Sequence, residues 1–336
     1  MKDADLTAPI FTDDEAARMH FEALRWEGGV PVCFHCGAIG DAALVARDED
    51  RAAKQRNAGK KTARDGLYYC RSCAKTFTAT MGTVYEDSHI PMKKWLLATH
   101  LMNASKMGMP ALQLQRMLGI GSYRTAWFMA MRIREGMDST TGEPPLGGEG
   151  KVVEADETYH GKIDGPAPTL NTRGQPFTKS GRTGPSGKRP IVALVERGGK
   201  VRAFHVGNAT KEVVAKIVTE NADAASRLHT DESRLYVGAH EGFATHETVK
   251  HSAGEYARED VNTNSVEGFF GGFKRSMATY THCREKYLGR YVREAEFRYN
   301  TRTKLGYSDK DRTTLAIKGA VGKRLTLRQP KGVKAA

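Results

Sequence analysis

Two C-x-x-C pairs, Cys33-Phe-His-Cys36 and Cys70-Arg-Ser-Cys73, constrain this chain more tightly than any other feature. Each pair sets two thiolates on one side of a tight turn, and two such turns supply the four sulfurs of a tetrahedral site, for which zinc is the fitting ion. The N-terminus lacks the basic-then-apolar pattern of an export signal, which favours metal over disulfides. The 33 residues between the pairs exceed the roughly 15–20 of a minimal ribbon. Residues 51–64 hold six Lys/Arg and no acid, so the excess reads as a solvated basic insertion at 47–65. Either pair alone could be a redox dithiol, but the duplication argues for one structural zinc on Cys33, Cys36, Cys70 and Cys73. His35 reads as a loop residue, and the fifth cysteine, Cys283, stands alone.

Around this module the chain alternates between helical and strand-like patterning. Residues 11–29 predict a short amphipathic helix with Thr12 as N-cap and Asp13, Asp14 and Glu15 in its first turn. From 91 to 137, Leu, Met, Ala and Trp recur at helical spacing. There Pro110–Leu118, the turn Gly119–Ser122 and Tyr123–Glu135 have the layout of a helix-turn-helix. Its second helix would bury Ala126, Trp127, Ala130 and Ile133 and leave Arg124, Arg132 and Arg134 to meet a DNA groove or its phosphates. The plainer alternative is an ordinary helical hairpin with solvated arginines.

Charge narrows the partner. With 52 Lys+Arg against 39 Asp+Glu the formal charge is +13, which favours a polyanion. Nucleic acid or an anionic membrane would satisfy it. No apolar run approaches the roughly 18–20 residues of a bilayer span, so the chain reads as soluble and intracellular.

A Gly/Pro-rich hinge, Thr140–Gly148, precedes a second half that mixes strands and helices. Val152–Asp156, Ile191–Glu196, Val201–Val206 and Arg227–Asp231 read as strands, the middle two joined by a Gly-Gly hairpin. Residues 161–190, rich in Gly, Pro and Lys/Arg, read as a mobile loop. Thr210 caps a helix to about 220, and helix dominates from 263 to 301. The predicted organisation is an N-terminal helix and zinc ribbon (1–90), a helix-turn-helix region (91–138), a linker (139–150), a mixed-sheet catalytic domain (151–305) and a basic tail (306–336).

Three acids stand in particular settings: Asp156 and Asp231 at strand ends, with 74 residues between them, and Glu267 after 35 more intervening residues, near a helix start. Alone, each has a dull reading as a turn cap or a partner of the helix dipole. Together they can gather at one sheet edge, where divalent cations relieve carboxylate repulsion; oxygen ligands with open water positions suit Mg²⁺ or Mn²⁺. Two such ions would support in-line displacement at phosphorus. Lys274, seven residues after Glu267 and so on the same helix face, is placed to contact a DNA phosphate, with Arg275 beside it.

At these residues the sequence resembles bacterial insertion-sequence transposases that join an N-terminal zinc ribbon to a DDE domain, from roughly residue 18 to 302. The resemblance runs through the cysteine pairs, Phe77–Pro91, Lys94-Trp95, Ala126-Trp127, Asp156-Glu-Thr-Tyr, Val195-Glu-Arg-Gly-Gly, Thr230-Asp-Glu, His251–Tyr256, Thr263-Asn-Ser-Val-Glu, Lys274-Arg275 and Phe297-Arg-Tyr-Asn300. It implies a ribonuclease-H-like catalytic fold with Asp156, Asp231 and Glu267 as metal ligands, cutting at element ends and joining of those ends to target DNA. Double-stranded DNA, both terminal repeats and target, is then the partner, with at least a dimer on DNA, in the bacterial cytoplasm or on the nucleoid. Three departures stand out: the 47–65 insertion; His160-Gly-Lys where the family carries an apolar residue and two glycines; and Gly268, Gly271 and Gly272 in the helix after Glu267. Those glycines leave that helix either bent or held by DNA packing against Phe269 and Phe270. A zinc-ribbon transcription regulator would leave the acids idle. A ribonuclease-H-like nuclease or resolvase would only cleave, and a domesticated transposase would only bind.

Overall fold

The computed structural model describes residues 5–46, 65–138, 142–164, 187–238, 242–255 and 257–326. Most of the basic insertion (47–64), the core of the 161–190 loop (165–186) and the last ten residues lie outside that set. The chain divides into two compact units, one of Met1–Ser105, Ala111–Met137 and Ser308–Ala336, the other of Lys106–Pro110 and Asp138–Tyr307. Among the described residues no helix is long and apolar enough to cross a membrane.

In the first unit a small antiparallel sheet of β1 (Ala42–Leu44), β2 (Leu67–Cys70) and β3 (Thr76–Thr78) lies beside helices α1 (Pro9–Thr12), α2 (Asp14–Arg25), α3 (Met92–Ala104), α4 (Ala111–Leu118) and α5 (Tyr123–Gly136). Edge-on aromatic pairs join them: Phe21 to Tyr85 at 5.2 Å, Tyr85 to Trp95 at 5.1 Å and Trp26 to Tyr68 at 5.1 Å. The cap of α2 is Asp13, whose carboxylate accepts from Ala16 N at 2.8 Å, and not Thr12. Pro9 starts a one-turn helix earlier, which takes in Thr12 before the chain turns extended at Asp13.

The basic tail expected from 306 needs correction. Ser308 and Asp311 form a capping box that opens α9 (Asp309–Lys318), which buries Thr313, Ala316 and Ile317 in the first unit. Thr313 Oγ1 is 3.1 Å from His100 Nδ1 of α3. The start of this basic segment folds because Asp309 and Asp311 open the helix and one face carries small and apolar residues at helical spacing.

In the second unit five strands take the order β6-β5-β4-β7-β8: β4 (Val152–Lys162), β5 (Lys188–Glu196), β6 (Val201–His205), β7 (Arg227–Asp231) and β8 (Thr245–Val249). β6, β5 and β4 are antiparallel, while β4, β7 and β8 run parallel. Val153, Ala155, Val192, Leu194 and Leu228 form a core with Val214 and Val218 of α6 (Lys211–Asn221), the helix between β6 and β7. The other face meets α7 (Asn264–Tyr280) and α8 (Glu285–Asn300), where Asn300 and Glu296 accept from Val201 N and Ala203 N of β6 at 2.7 and 3.2 Å. The antiparallel hairpin at Arg197–Lys200, the Thr210 cap and the strand 227–231 all stand where the sequence puts them.

Other boundaries move. β4 continues to Lys162 and β5 begins at Lys188, so the strands take both described flanks of the expected loop. β8 had no clear sequence signal. The expected linker is part of the second unit from residue 142: Leu146 is buried, its N donates to Asn221 O at 2.8 Å, and its O accepts from Asp223 N at 2.8 Å.

Candidate active site and metal centre

The four cysteines converge as expected. Cys33 Sγ lies 3.7 Å from Cys73 Sγ, and Cys36 Sγ 3.7 Å from Cys70 Sγ. A tetrahedron with Zn–S bonds of about 2.3 Å has edges of about 3.8 Å, so the donor set fits zinc in both element and size. Burial opposes ionisation at Cys33, but donation from the backbone of Cys36 and His35 takes its thiol down to about 6. Burial and the neighbouring sulfurs push Cys73 up to about 12. Four such thiols cannot all ionise unless a cation joins them. Cys70→Ser is therefore expected to release one equivalent of tightly held metal, read by elemental analysis; a wild-type chain purified without metal would contradict the ribbon.

The second cluster stands at the carboxyl ends of parallel strands. Pairing of β4 with β7 stops at Ala155 and Thr230, so β4 overhangs β7 by everything from Asp156 on. Ligand sites in such sheets lie beyond the strand ends. Oxygens of Asp156, Glu157 and Asp231 all come within 4.8 Å of one another there. Asp231 Oδ1 accepts from Ser233 N at 2.9 Å, and Glu157 Oε1 from Ser233 Oγ at 3.4 Å. Glu157 Oε2 is buried with no hydrogen-bond partner among the described residues. Burial, then Asp231 and Glu157, push Asp156 up to about 8, and burial with Asp231 raises Glu157 as well. Crowded oxygens, an orphaned buried acceptor and raised carboxyls together fit a hard divalent cation. In the sequence Glu157 is only the strand neighbour of Asp156 and carries no signal of its own.

Glu267 stands outside that group. It is exposed in the first turn of α7, accepts from Thr263 Oγ1 at 3.0 Å, and raises Asp156 through its charge. What fixes α7 is Glu154, fully buried two residues before Asp156 and on the same strand face. Glu154 Oε2 accepts from Ser265 N at 2.7 Å and Val266 N at 3.1 Å, and Oε1 from Ser265 Oγ at 3.0 Å. Arg197, from the β5–β6 hairpin, donates Nε to Glu154 Oε1 at 2.8 Å, Nη1 to Asp260 O at 2.8 Å and Nη2 to Asn262 O at 3.1 Å. An anion at a helix N-terminus, paired with a guanidinium, thus ties strand, hairpin and helix together.

The basic candidates separate. Lys274 and Arg275 are exposed on α7. Lys274 faces His160, where burial, then Arg189 and Lys274, lower the imidazole. Arg124 is exposed on α5, but the other two arginines are corrected: Arg134 is 2% exposed, and half-buried Arg132 donates to Glu86 O at 3.1 Å and Leu325 O at 3.3 Å. Trp127, expected in the core, is half-buried. Phe269 and Phe270 are both 3% exposed, so the protein's own interior packs against them, and of the two Phe269 lines a surface cavity.

Such a carboxylate cluster on a mixed sheet offers a donor set for a divalent cation. Residues 145–300 match the ISXO2-like transposase domain, which falls within the second unit, and the four clustered cysteines are consistent with the zinc-ribbon kind of insertion-sequence transposase. A protein described as an uncharacterized protein in transposable element ISH50 of Halobacterium salinarum is 27% identical over 292 residues, 86% of this chain and 91% of the relative. A chain in the structure of the simian T-cell lymphotropic virus intasome with PP2A regulatory subunit B56 gamma aligns at 12% identity over 55% of this chain and 63% of its own, with a TM-score of 0.28. That likeness is too slight to bear on the fold.

Proposed function

We propose that this chain binds the terminal repeats of an insertion sequence, cleaves at the element ends and joins the 3′-OH ends to target DNA. The catalytic domain is read as ribonuclease-H-like, with Asp156, Asp231 and Glu267 as the acidic triad. The observation that carries the reading is the crowding of Asp156, Glu157 and Asp231 at the ends of parallel strands within the matched transposase domain. Mg²⁺ or Mn²⁺ held by these carboxylates, two ions in the full site, would supply Lewis acidity at phosphorus and neutralise charge on the leaving oxygen. The chain's own residues do the rest. Glu154 and Arg197 hold the α7 N-terminus against β4, in the position from which the charge of Glu267 reaches Asp156. Lys274 contributes positive charge along the same helix face as Glu267. The zinc ribbon and the α4–α5 pair, with exposed Arg124, are the elements read as gripping the element ends. Two ends must be held at once, so at least a dimer assembles on DNA, within the bacterial cytoplasm and on the nucleoid.

A strand-transfer assay with labelled terminal-repeat DNA, a plasmid target and Mg²⁺ or Mn²⁺ tests this. Joined products are expected from the wild type and should vanish in Asp156→Ala, Asp231→Ala and Glu267→Ala. Cleavage without joining would replace the transposase by a nuclease, which the same carboxylates would also serve. Binding without any chemistry would leave a regulator.

A further inference from the structure

Helix α7 carries three glycines that nothing inside the protein requires. Helical glycine costs about 1 kcal/mol relative to alanine. A Cβ on Gly268 would meet no atom within 4 Å, and one on Gly272 would meet only the Arg275 guanidinium, at 4.0 Å. A Cβ on Gly271 would touch the same flexible group at 3.4 Å. With about 100° per residue, Gly271 lies about 40° round the helix from Glu267, Gly268 about 100° and Gly272 about 140°. From the Glu267 stripe to a neighbouring cavity these glycines therefore leave helix backbone near which, among the described residues, the Arg275 side chain alone comes within 4 Å of where a Cβ would stand.

That cavity has a volume of about 190 Å³ and is lined by Gly268, Gly272, Lys106, Arg275 and Arg302 over a floor that includes Phe269. Lys106 and Arg275 are exposed. The 106–110 segment that brings Lys106 here is seated on α7: Gly108 has φ 81°, and a Cβ on it would strike the Tyr280 hydroxyl. Arg302 is oriented by donating to Tyr299 O at 2.7 Å and Gly199 O at 2.9 Å, with its guanidinium 4.0 Å over the Tyr299 ring. No acid lines the cavity. The feature combines bared backbone, an open cavity and cations from three separate elements, all beside the helix turn that holds Glu267.

We propose that this surface is the track for the phosphodiester backbone of the DNA strand entering the active site. The strand passes over Gly271, and its phosphates lie against Gly268 and Gly272 within reach of Lys106, Arg275 and Arg302. Glycine at these positions lets a phosphate approach closer to the helix than any side chain would allow. This rests on the DNA strand-transfer reading above.

Two variants test it, Gly272→Ala and the double variant Lys106→Ala with Arg275→Ala. Binding to a labelled blunt-ended duplex is measured in EDTA across a salt series, alongside the melting temperature. Gly272→Ala is expected to melt about 2–4 °C higher, since it removes a helical glycine at an open position, yet to bind DNA about tenfold more weakly. The double variant is expected to keep its fold and to flatten the slope of log K against log[salt] by about two, one for each lost phosphate contact. A higher melting temperature with unchanged affinity, together with an unchanged slope in the double variant, overturns the proposal. So does a lower melting temperature in Gly272→Ala, because the glycine would then serve the fold. Strand transfer by the wild type separates the two readings. If it joins DNA while the variants bind normally, the track fails and the transposase stands. If it never joins DNA while the variants lose binding, the track stands and the transposase reading fails.

Discussion

Asp156→Asn is expected to raise the melting temperature of the metal-free chain at pH 8 while reducing strand transfer to background. Asp156 rises to about 8 in the folded chain, through burial first and then the Asp231 and Glu157 charges, against about 3.9 for a free aspartate. Between those pH values the folded state holds a proton that the unfolded state has released. Raising the pH through that window therefore favours unfolding, and the native state loses stability from about pH 4 to about pH 8. At about 1.4 kcal/mol per pH unit the cost at pH 8 is bounded at about 6 kcal/mol, and neighbouring carboxylates share part of it. Asparagine keeps the shape and removes the charge, so the variant in EDTA should melt several degrees higher at pH 8. It should lose the share of the pH dependence that Asp156 carries, while Glu296, which burial also raises to about 8, keeps its own. Mg²⁺ or Mn²⁺ should do the same for the wild type and little for the variant. A wild-type melting temperature flat from pH 5 to pH 8 in EDTA, and unmoved by the substitution, would show that these carboxylates do not strain the fold.

The acids legible in the sequence were those whose position follows from a strand end. Asp156 and Asp231 each close a short apolar run, and two parallel strands of one sheet bring such ends together. Glu157 was not legible, because neighbouring residues on a strand point to opposite faces. Only the pairing that ends at Ala155 and Thr230 lets β4 overhang and bring Glu157 to the same oxygens. Arg132 and Arg134 were misread for a related reason. A helical wheel gives α5 one buried stripe, yet α5 packs against both α4 and α9, and the second contact takes the side assigned to DNA. That contact depends on α9 returning from residue 309, a separation no local pattern reveals. Glu154 shows the same limit: within Val152-Val-Glu-Ala-Asp it is one acid in an apolar strand, and its partners come from residues 197, 265 and 266.

Glu154→Ala is expected to destabilise the second unit by about 3–5 kcal/mol and to reduce strand transfer further than the loss of folded protein explains. A buried ion pair broken on one side leaves the other charge uncompensated. Here the substitution strands Arg197 and removes the acceptor of three α7 donors together. The α7 N-terminus then loses the buried anion against its dipole, and the turn carrying Glu267 is released from β4. Glu154→Gln retains an acceptor for some of these donors but turns an NH₂ toward others, so an intermediate loss is expected. Arg197→Lys should fall between wild type and Glu154→Ala, since one ammonium cannot replace a guanidinium that reaches Glu154, Asp260 and Asn262 together. Two readouts separate positioning from plain destabilisation. Amide exchange in 260–268 should quicken at temperatures where β4 and β5 remain protected, and the Mn²⁺ concentration giving half-maximal joining should rise while DNA affinity in EDTA holds. Uniform loss of protection across the unit, with an unchanged Mn²⁺ requirement, would reduce Glu154 to a structural ion pair. Local opening with a weakened metal requirement would make it the residue through which the sheet holds Glu267 in place.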